Sequence, residues 1–318
     1  MPVTGTSAEP QRVYVEITNA CNLRCHFCPG TSRPPARMDP EFFASLLTQI
    51  TPLTSRISLH VLGEPLTHPD LPLLLEHCAR AAVAVDLTTN GSLISRWSDD
   101  LLQSRALRQI NFSLQSLDRA AGPDLDTLDR VLNFTSQVLL KRPELYVNFR
   151  LWTLDNLRAQ EDSAFNRAVL ERIGHDLHIS TPTLVPGRKS RRLVGRVYVH
   201  ADTVFTWPGD LPAAERHRGY CHALTSHCAI LADGTVCPCC LDAEGRLALG
   251  NVRVTPLAQI LASPRATAMR NGFSRGELVE DLCRHCSYCH RFEANRRQAP
   301  QHARANPARP CNDEKRPL

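Results

Sequence analysis

Eight residues constrain this chain more than any others: Cys21-Asn22-Leu23-Arg24-Cys25-His26-Phe27-Cys28. Three thiols at C-x3-C-x2-C spacing follow directly on a strand-like run, Val13 to Thr18. A loop this short can wrap one side of a cubane [4Fe–4S] cluster and ligate three of its four irons, and cysteine thiolates are the usual holders of such clusters. The fourth iron then has no protein ligand and stays open to a small molecule. Structural zinc fits less well, because a closed zinc site takes four ligands in paired sets, and His26 inside the loop is badly placed to be the fourth. Three core thiols within eight residues are not expected by chance.

The 318 residues suffice for one large domain and a smaller one. The chain holds thirteen cysteines. Residues 1–11 show neither a basic n-region nor an apolar h-region, so a signal peptide is not expected. No apolar run approaches the ~18 residues of a membrane span. The chain is therefore read as cytoplasmic, where clustered cysteines bind metal and do not form a disulfide framework. The net charge of +5 is concentrated in Arg188–Arg192 and in the tail from Arg291. These read as a solvated loop and a disordered tail, and a nucleic-acid partner is not expected.

From Val13 to about Thr181, short β-branched runs alternate with helical patterns. Strands are expected at Val13–Thr18, Ile57–Val61, Val83–Thr88, Ile110–Leu114, Tyr146–Trp152 and Leu177–Ser180. Helices are expected at Asp39–Ile50, His68–Ala82, Leu101–Ala106, Leu125–Leu140 and Ala159–Ile173. Asp39 is the expected N-cap of its helix, with Pro40 in the first turn. Repeated βα units imply parallel strands with right-handed crossovers. Because the pattern stops near residue 181, an open six-stranded partial barrel fits better than a closed eight-stranded one. Chemistry in such folds sits at the C-terminal strand ends. There the sequence places Gly63 and Glu64 after the second strand and Asn90 after the third. Ser113 and Gln115 follow the fourth, and Arg150 lies on the fifth. Singly, each has an ordinary structural reading as a turn, a surface carboxylate or an ion-pair partner.

Together with Phe27 before the third cysteine, these features resemble the radical SAM superfamily. The resemblance implies an α/β (β/α)6 partial TIM barrel over residues 12–182. It implies that the open iron binds the amino and carboxylate groups of S-adenosylmethionine (SAM). One electron then breaks the C5′–S bond and leaves a 5′-deoxyadenosyl radical, so the cofactor carries the hard chemistry. A flavodoxin- or ferredoxin-type electron donor is implied as well. Gly63-Glu64-Pro65 resembles the end of the family's Gly-Gly-Glu-Pro motif, whose carboxylate meets the methionyl ammonium; Leu62 stands where the first Gly is usual. By the same resemblance Ser113, Gln115 and Asn90 fall at ribose and carboxylate contacts, Arg150 at the SAM carboxylate, and Phe27 near the adenine. Phe112–Asp118 resembles a run of the radical SAM cyclase of molybdenum-cofactor synthesis.

After an irregular stretch, 183–220, with a possible hairpin of Val197–Val199 and Val204–Trp207, a second cysteine field opens at 221–292. It holds Cys221, Cys228, Cys237, Cys239, Cys240, Cys283, Cys286 and Cys289. Asp233-Gly234 between apolar runs predicts a hairpin, and Leu257–Arg270 reads as a helix. Two cysteine groups brought together around these elements make a four-thiolate site, which suits either [4Fe–4S] or structural zinc. The spacing resembles the twitch domain, the shortened relative of the SPASM domain. That resemblance implies one auxiliary [4Fe–4S] cluster on Cys221, Cys239, Cys283 and Cys286, with Cys228, Cys237, Cys240 and Cys289 as substitutes. Cys78 reads as a core residue, and Cys311 lies in the tail, 293–318. The expected function is SAM cleavage followed by oxidative modification of a small-molecule or peptide substrate. A non-catalytic zinc or iron–sulfur protein is the alternative. No substrate acid or base is identifiable; His200 and Trp207 are possible pocket contacts.

Overall fold

The computed structural model describes residues 11–120, 122–154, 163–184, 190–203, 206–208 and 215–289. Cys311, the tail, residues 1–10 and residues 188 and 189 of the basic run lie outside the described residues, whereas Ser190, Arg191 and Arg192, read as a loop, begin a strand.

Six parallel strands make the barrel wall: β1 (Arg12–Val15), β2 (Arg56–Leu59), β3 (Ala84–Thr89), β4 (Leu107–Ser113), β5 (Tyr146–Leu154) and, two strands further along the chain, β7 (Val197–Thr203). β6 (Ser190–Val194) runs antiparallel along the β7 edge. The sixth parallel strand is therefore not Leu177–Ser180, which forms a turn; it comes from the stretch read as a linker. Leu177–Ser180 is short and runs into Thr181-Pro182, whereas Val197-Tyr-Val-His-Ala alternates at period two and pairs with β5.

The strands are separated by α1 (Pro40–Ile50), α2 (Leu71–Arg80), α3 (Ile94–Gln103), α4 (Leu125–Lys141) and α5 (Ala164–Asp176). Asp39 caps α1 by accepting from the Phe42 N–H at 2.8 Å. α3 starts seven residues earlier than Leu101. Ile94, Trp97, Leu101 and Leu102 form its buried stripe, and Trp97 Nε1 donates to Leu66 O at 2.8 Å. Those spacings fit a helical period better than the run ending at Ala106, where β4 is about to begin.

Period-two alternation decides what faces the interior of the barrel. Val13, Val15, Ile57, Leu59, Val85, Leu87, Ile110, Phe112, Val147 and Phe149 turn outward under the helices and are fully buried. Tyr14, His60, Asn111 and Arg150, in the opposite phase, line the cavity. Burying that many large side chains, at about 1.5–3 kcal/mol each, is what holds the polar interior open. Deep in the barrel, Asp86 is held by Arg56, Arg12 and Arg108, so this buried carboxylate is paired three ways.

The C-terminal region is not a separate sheet. β8 (His227–Ile230) pairs in parallel with β1, and β9 (Thr235–Cys237) and β10 (Gly250–Asn251) follow antiparallel. The whole is one ten-stranded sheet in the order β10-β9-β8-β1-β2-β3-β4-β5-β7-β6. The predicted hairpin turn is present, with Gly234 at φ 95°, a left-handed conformation that glycine adopts freely. The expected single helix from Leu257 is two, α6 (Leu257–Leu261) and α7 (Pro264–Arg275), broken where Ser263 becomes the cap of α7 and Pro264 follows it.

Candidate active site

The first cysteine loop leaves the end of β1 and returns at Met38. Its base is closed by a bridge between Thr18 and Arg37, by Met38 N donating to Ile17 O at 2.8 Å, and by the Asn19 side chain bonding Pro34 O and Ala36 N. Within it the Cys28 N–H donates to Cys25 O, a turn that brings these two thiols to one side, and the Leu23 N–H donates to Cys21 Sγ at 3.4 Å. Burial raises the pKa of Cys21 and of Cys25, and each thiol is further raised by its neighbouring cysteines. Three thiols on one loop, all lining one cavity, are a donor set that suits a thiolate-bound cluster and gives up protons on binding it.

Gly63 fixes the next wall. Its φ is 73°, and a Cβ there would lie 2.3 Å from Thr18 O and 2.9 Å from Ala20 O. Only glycine lets the loop after β2 lie against the cysteine loop, where Glu64 N donates to Ala20 O at 2.9 Å. Leu62 replaces the family's usual first glycine without loss of this contact; its N–H donates to Glu16 at 3.3 Å.

Glu64 is buried, and its carboxylate is heavily used. Oε1 accepts from Leu66 N at 2.9 Å and Thr89 Oγ1 at 2.7 Å, and Oε2 accepts from Asn90 N at 2.7 Å. With about two acceptor positions per oxygen, one on Oε2 is left. Burial pushes the carboxyl up to about 7 despite those three donors. The side chain of Asn90, expected at a cofactor, is engaged with the cysteine loop: Nδ2 donates to Asn22 Oδ1 at 3.1 Å, and Oδ1 accepts from Ser92.

Ser113, Gln115 and Arg150 meet at the same rim, with Ser113 and Arg150 in register across β4 and β5. Gln115 Oε1 and Arg150 Nε are buried with no hydrogen-bond partner, two orphaned polar atoms beside the cysteine loop that a polar ligand would satisfy. The Arg150 guanidinium lies 5.2 Å from the centre of the Trp152 ring. His60, beside it, is held neutral, its pKa lowered to about 3 by burial and then by Arg150.

The second thiol group lines the same cavity. Burial raises Cys221 to about 12 and raises Cys239, Cys283 and Cys286; Cys221 is raised further by Cys286 and Cys289, Cys239 by Cys221, Cys240 and Cys283, and Cys283 by Cys221 and Cys286. The four expected ligands therefore neighbour one another and also Cys240 and Cys289. Among the substitutes, Cys228 is fully buried in apolar packing, and Cys237 is fully buried beside the Asp242 carboxylate, with which its thiol hydrogen-bonds. Cys240 and Cys289 line the cavity beside the set. Cys78 is a core residue of α2. Among the described residues no group of three or more His, Cys, Asp or Glu side chains is gathered closely enough to hold a metal ion. A single cavity of about 470 Å³ is lined by Cys21, Cys25, Cys28, Phe27, Glu64 and Arg150 and also by all four C-terminal thiols. Trp207 lines it too, whereas His200, opposite Arg150 on β7, is not among its lining residues.

Sequence reasoning missed Glu16. It is buried at the end of β1, ion-paired with Arg33 at 2.7 Å, and accepts from Leu62 N and Ala232 N at 3.3 Å. Its signal was a lone acid in the inward phase of an otherwise apolar strand.

Comparison with known proteins places these features. Residues 15–157 match the model of the radical SAM superfamily, and residues 221–287 match that of the SPASM iron-sulfur cluster-binding domain. The GTP 3′,8-cyclase of Chlorobaculum tepidum is 31% identical over 181 residues, 55% of this chain and 53% of the relative. The PqqA peptide cyclase of Streptomyces rochei is 35% identical over 118 residues, 36% of this chain and 32% of the relative. The chain thus spans about half of the first of these relatives and about a third of the second. Among solved structures, SuiB of Streptococcus suis bound to precursor peptide SuiA aligns over 88% of this chain and 70% of its own, with TM-score 0.59 and 15% identity. BtrN in complex with AdoMet and 2-DOIA aligns over 87% of this chain and 93% of its own, with TM-score 0.50 and 18% identity. At these identities the structures show the shared fold. The chain carries a radical SAM superfamily domain followed by a SPASM iron–sulfur cluster-binding domain. No helix among the described residues is long and apolar enough to cross a membrane.

Proposed function

We propose that this chain binds SAM at a cluster held by Cys21, Cys25 and Cys28, cleaves it reductively, and oxidatively modifies a substrate lying toward a second cluster on Cys221, Cys239, Cys283 and Cys286. The observation that carries this is the one continuous cavity joining both thiol groups. When bound, the first cluster supplies the electron that breaks the C5′–S bond of SAM, and the second offers an acceptor for the electron left on the substrate.

The chain's own residues bind and orient. Glu64 keeps one acceptor position for the methionyl ammonium, and the orphaned Nε of Arg150 suits the carboxylate. Gln115 and Ser113 face the ribose region, and Phe27, half-buried on the cysteine loop, flanks the adenine. Asn90 acts one step back, holding Asn22 and through it the loop. Tyr14, Trp152 and Trp207 offer apolar walls on the substrate side.

The substrate is read as a peptide, since a relative is a PqqA peptide cyclase and SuiB holds a precursor peptide. A small molecule remains the other class. A cytoplasmic setting and a flavodoxin- or ferredoxin-type donor complete the reading. The test is anaerobic reconstitution with iron and sulfide, then dithionite and SAM. Wild type should yield 5′-deoxyadenosine and Cys21→Ala none. Equal yield from both, or zinc in place of iron, would overturn it.

A further inference from the structure

The two metal-binding loops touch. Five residues beyond Cys28, the guanidinium of Arg33 reaches back to the buried Glu16 carboxylate at 2.7 Å. One residue earlier, Ser32 bonds the second domain directly. Its N–H donates to Glu244 Oε1 at 3.2 Å and its hydroxyl to Oε2 at 2.5 Å. Glu244 lies five residues beyond Cys239, in a turn tightened by Asp242, which accepts from Arg246 N at 2.9 Å and Leu247 N at 2.8 Å. Glu16 also accepts from Ala232 N, next to the β8–β9 turn, while its own N–H donates to Ile230 O at 2.9 Å. On its other flank the cysteine loop is held by the barrel alone, through Asn22 to Asn90 and Ser92.

We propose that Glu244, together with Glu16, is a positioning residue that fixes the SAM-side cysteine loop from the SPASM domain, so that SAM affinity at the first site depends on a contact made by the second domain. The inference rests on the proposed function for its SAM arm, and the proteolysis arm is independent of it. Glu244 touches neither thiol group, and its bond to Ser32 is exposed, so its removal leaves the buried core and the cluster ligands in place. What it holds is the returning arm of the loop, between Cys28 and the base at Pro34 and Ala36. Losing these bonds loosens the placement of Cys28 and Phe27 more than that of Cys21, which sits next to the strand.

The experiment uses the full chain and compares wild type with Glu244→Ala, Ser32→Ala and the conservative Glu244→Gln. Trypsin cleavage at Arg24 and Arg37 is followed on the cluster-free chains. Iron per chain, the KM for SAM and the kcat for 5′-deoxyadenosine are measured on the reconstituted ones. Expected are faster cleavage in the loop and a KM about three- to tenfold higher, the size of one or two lost hydrogen bonds. The kcat should stay within about twofold and the iron content unchanged, with Glu244→Gln recovering part of both effects. Wild-type values for loop cleavage and KM in Glu244→Ala would overturn the inference, as would a KM change accompanied by lost iron, which would mean general damage to the SPASM domain. If wild type itself cleaves no SAM, the proposed function fails, and the trypsin result still decides whether Glu244 holds the loop.

Discussion

Replacing Glu64 with Gln tests the core of the site, because the change keeps shape and removes charge. Glu64 accepts three hydrogen bonds, from Leu66 N, Thr89 Oγ1 and Asn90 N, all at 2.7–2.9 Å and all buried. A glutamine has only one acceptor oxygen. Turned one way, it serves Leu66 and Thr89 and sets its NH2 against the Asn90 N–H. Turned the other way, it serves Asn90 and confronts the Leu66 N–H. Either way one buried donor is left unsatisfied, at about 1–3 kcal/mol. For SAM, the loss is a charge-assisted bond to the ammonium, about 1.5–3 kcal/mol, or roughly ten- to a hundredfold in Kd. The pH dependence separates the two effects. Burial holds Glu64 up to about 7 in the free site, whereas a bound ammonium needs the carboxylate. SAM affinity of the wild type should therefore fall as pH drops below 7, approaching tenfold per pH unit, and that slope should vanish in Glu64→Gln. Equilibrium dialysis on the reconstituted chain from pH 6 to 8, with thermal unfolding alongside, provides both readouts. An unchanged Kd and an unchanged slope would refute the assignment.

Gly63→Ala should disturb the cysteine loop, since its Cβ would sit 2.3 Å from Thr18 O at a positive φ; a drop in unfolding temperature with weakened SAM binding is expected, and wild-type behaviour in both would contradict the packing. Substituting Cys239 or Cys283 by Ala should lower bound iron from about eight to about four per chain while Cys21→Ala leaves the auxiliary iron in place, as colorimetric iron and sulfide assays will show. Burial lowers His227 to about 4 and His60 to about 3. Both are neutral when folded and take up protons more readily when unfolded, so the stability they contribute is fully present above about pH 6.5 and is lost as pH falls through the window toward 4. His227→Gln should flatten that acid limb in chemical unfolding; an equally steep limb would assign the loss elsewhere.

Much of this was legible in the sequence because the signals are local. Asp39-Pro40 and Asp233-Gly234 each specify a short piece of backbone, and each is found as read. The rule that chemistry sits at the C-terminal ends of parallel strands singled out Ser113 and Arg150, which stand in register across β4 and β5. What escaped depends on partners distant along the chain. The sixth strand was misplaced because Val197–Thr203 is told from a linker only by its pairing with β5. The auxiliary hairpin gave no sign that β8 would join β1 across more than two hundred residues. Glu16 looked like an isolated acid because its three partners, Arg33, Leu62 and Ala232, come from three different segments. Asn90, expected at the cofactor, lines the cavity, and its side chain also bonds Asn22 on the cysteine loop, a contact no local signal announces.

The most direct test of the central claim counts iron and sulfide and assays 5′-deoxyadenosine on one anaerobically reconstituted sample. The account predicts about eight of each per chain, two clusters' worth, together with SAM cleavage that Cys21→Ala abolishes. Zinc in place of iron, or eight irons with no cleavage under dithionite, would contradict it.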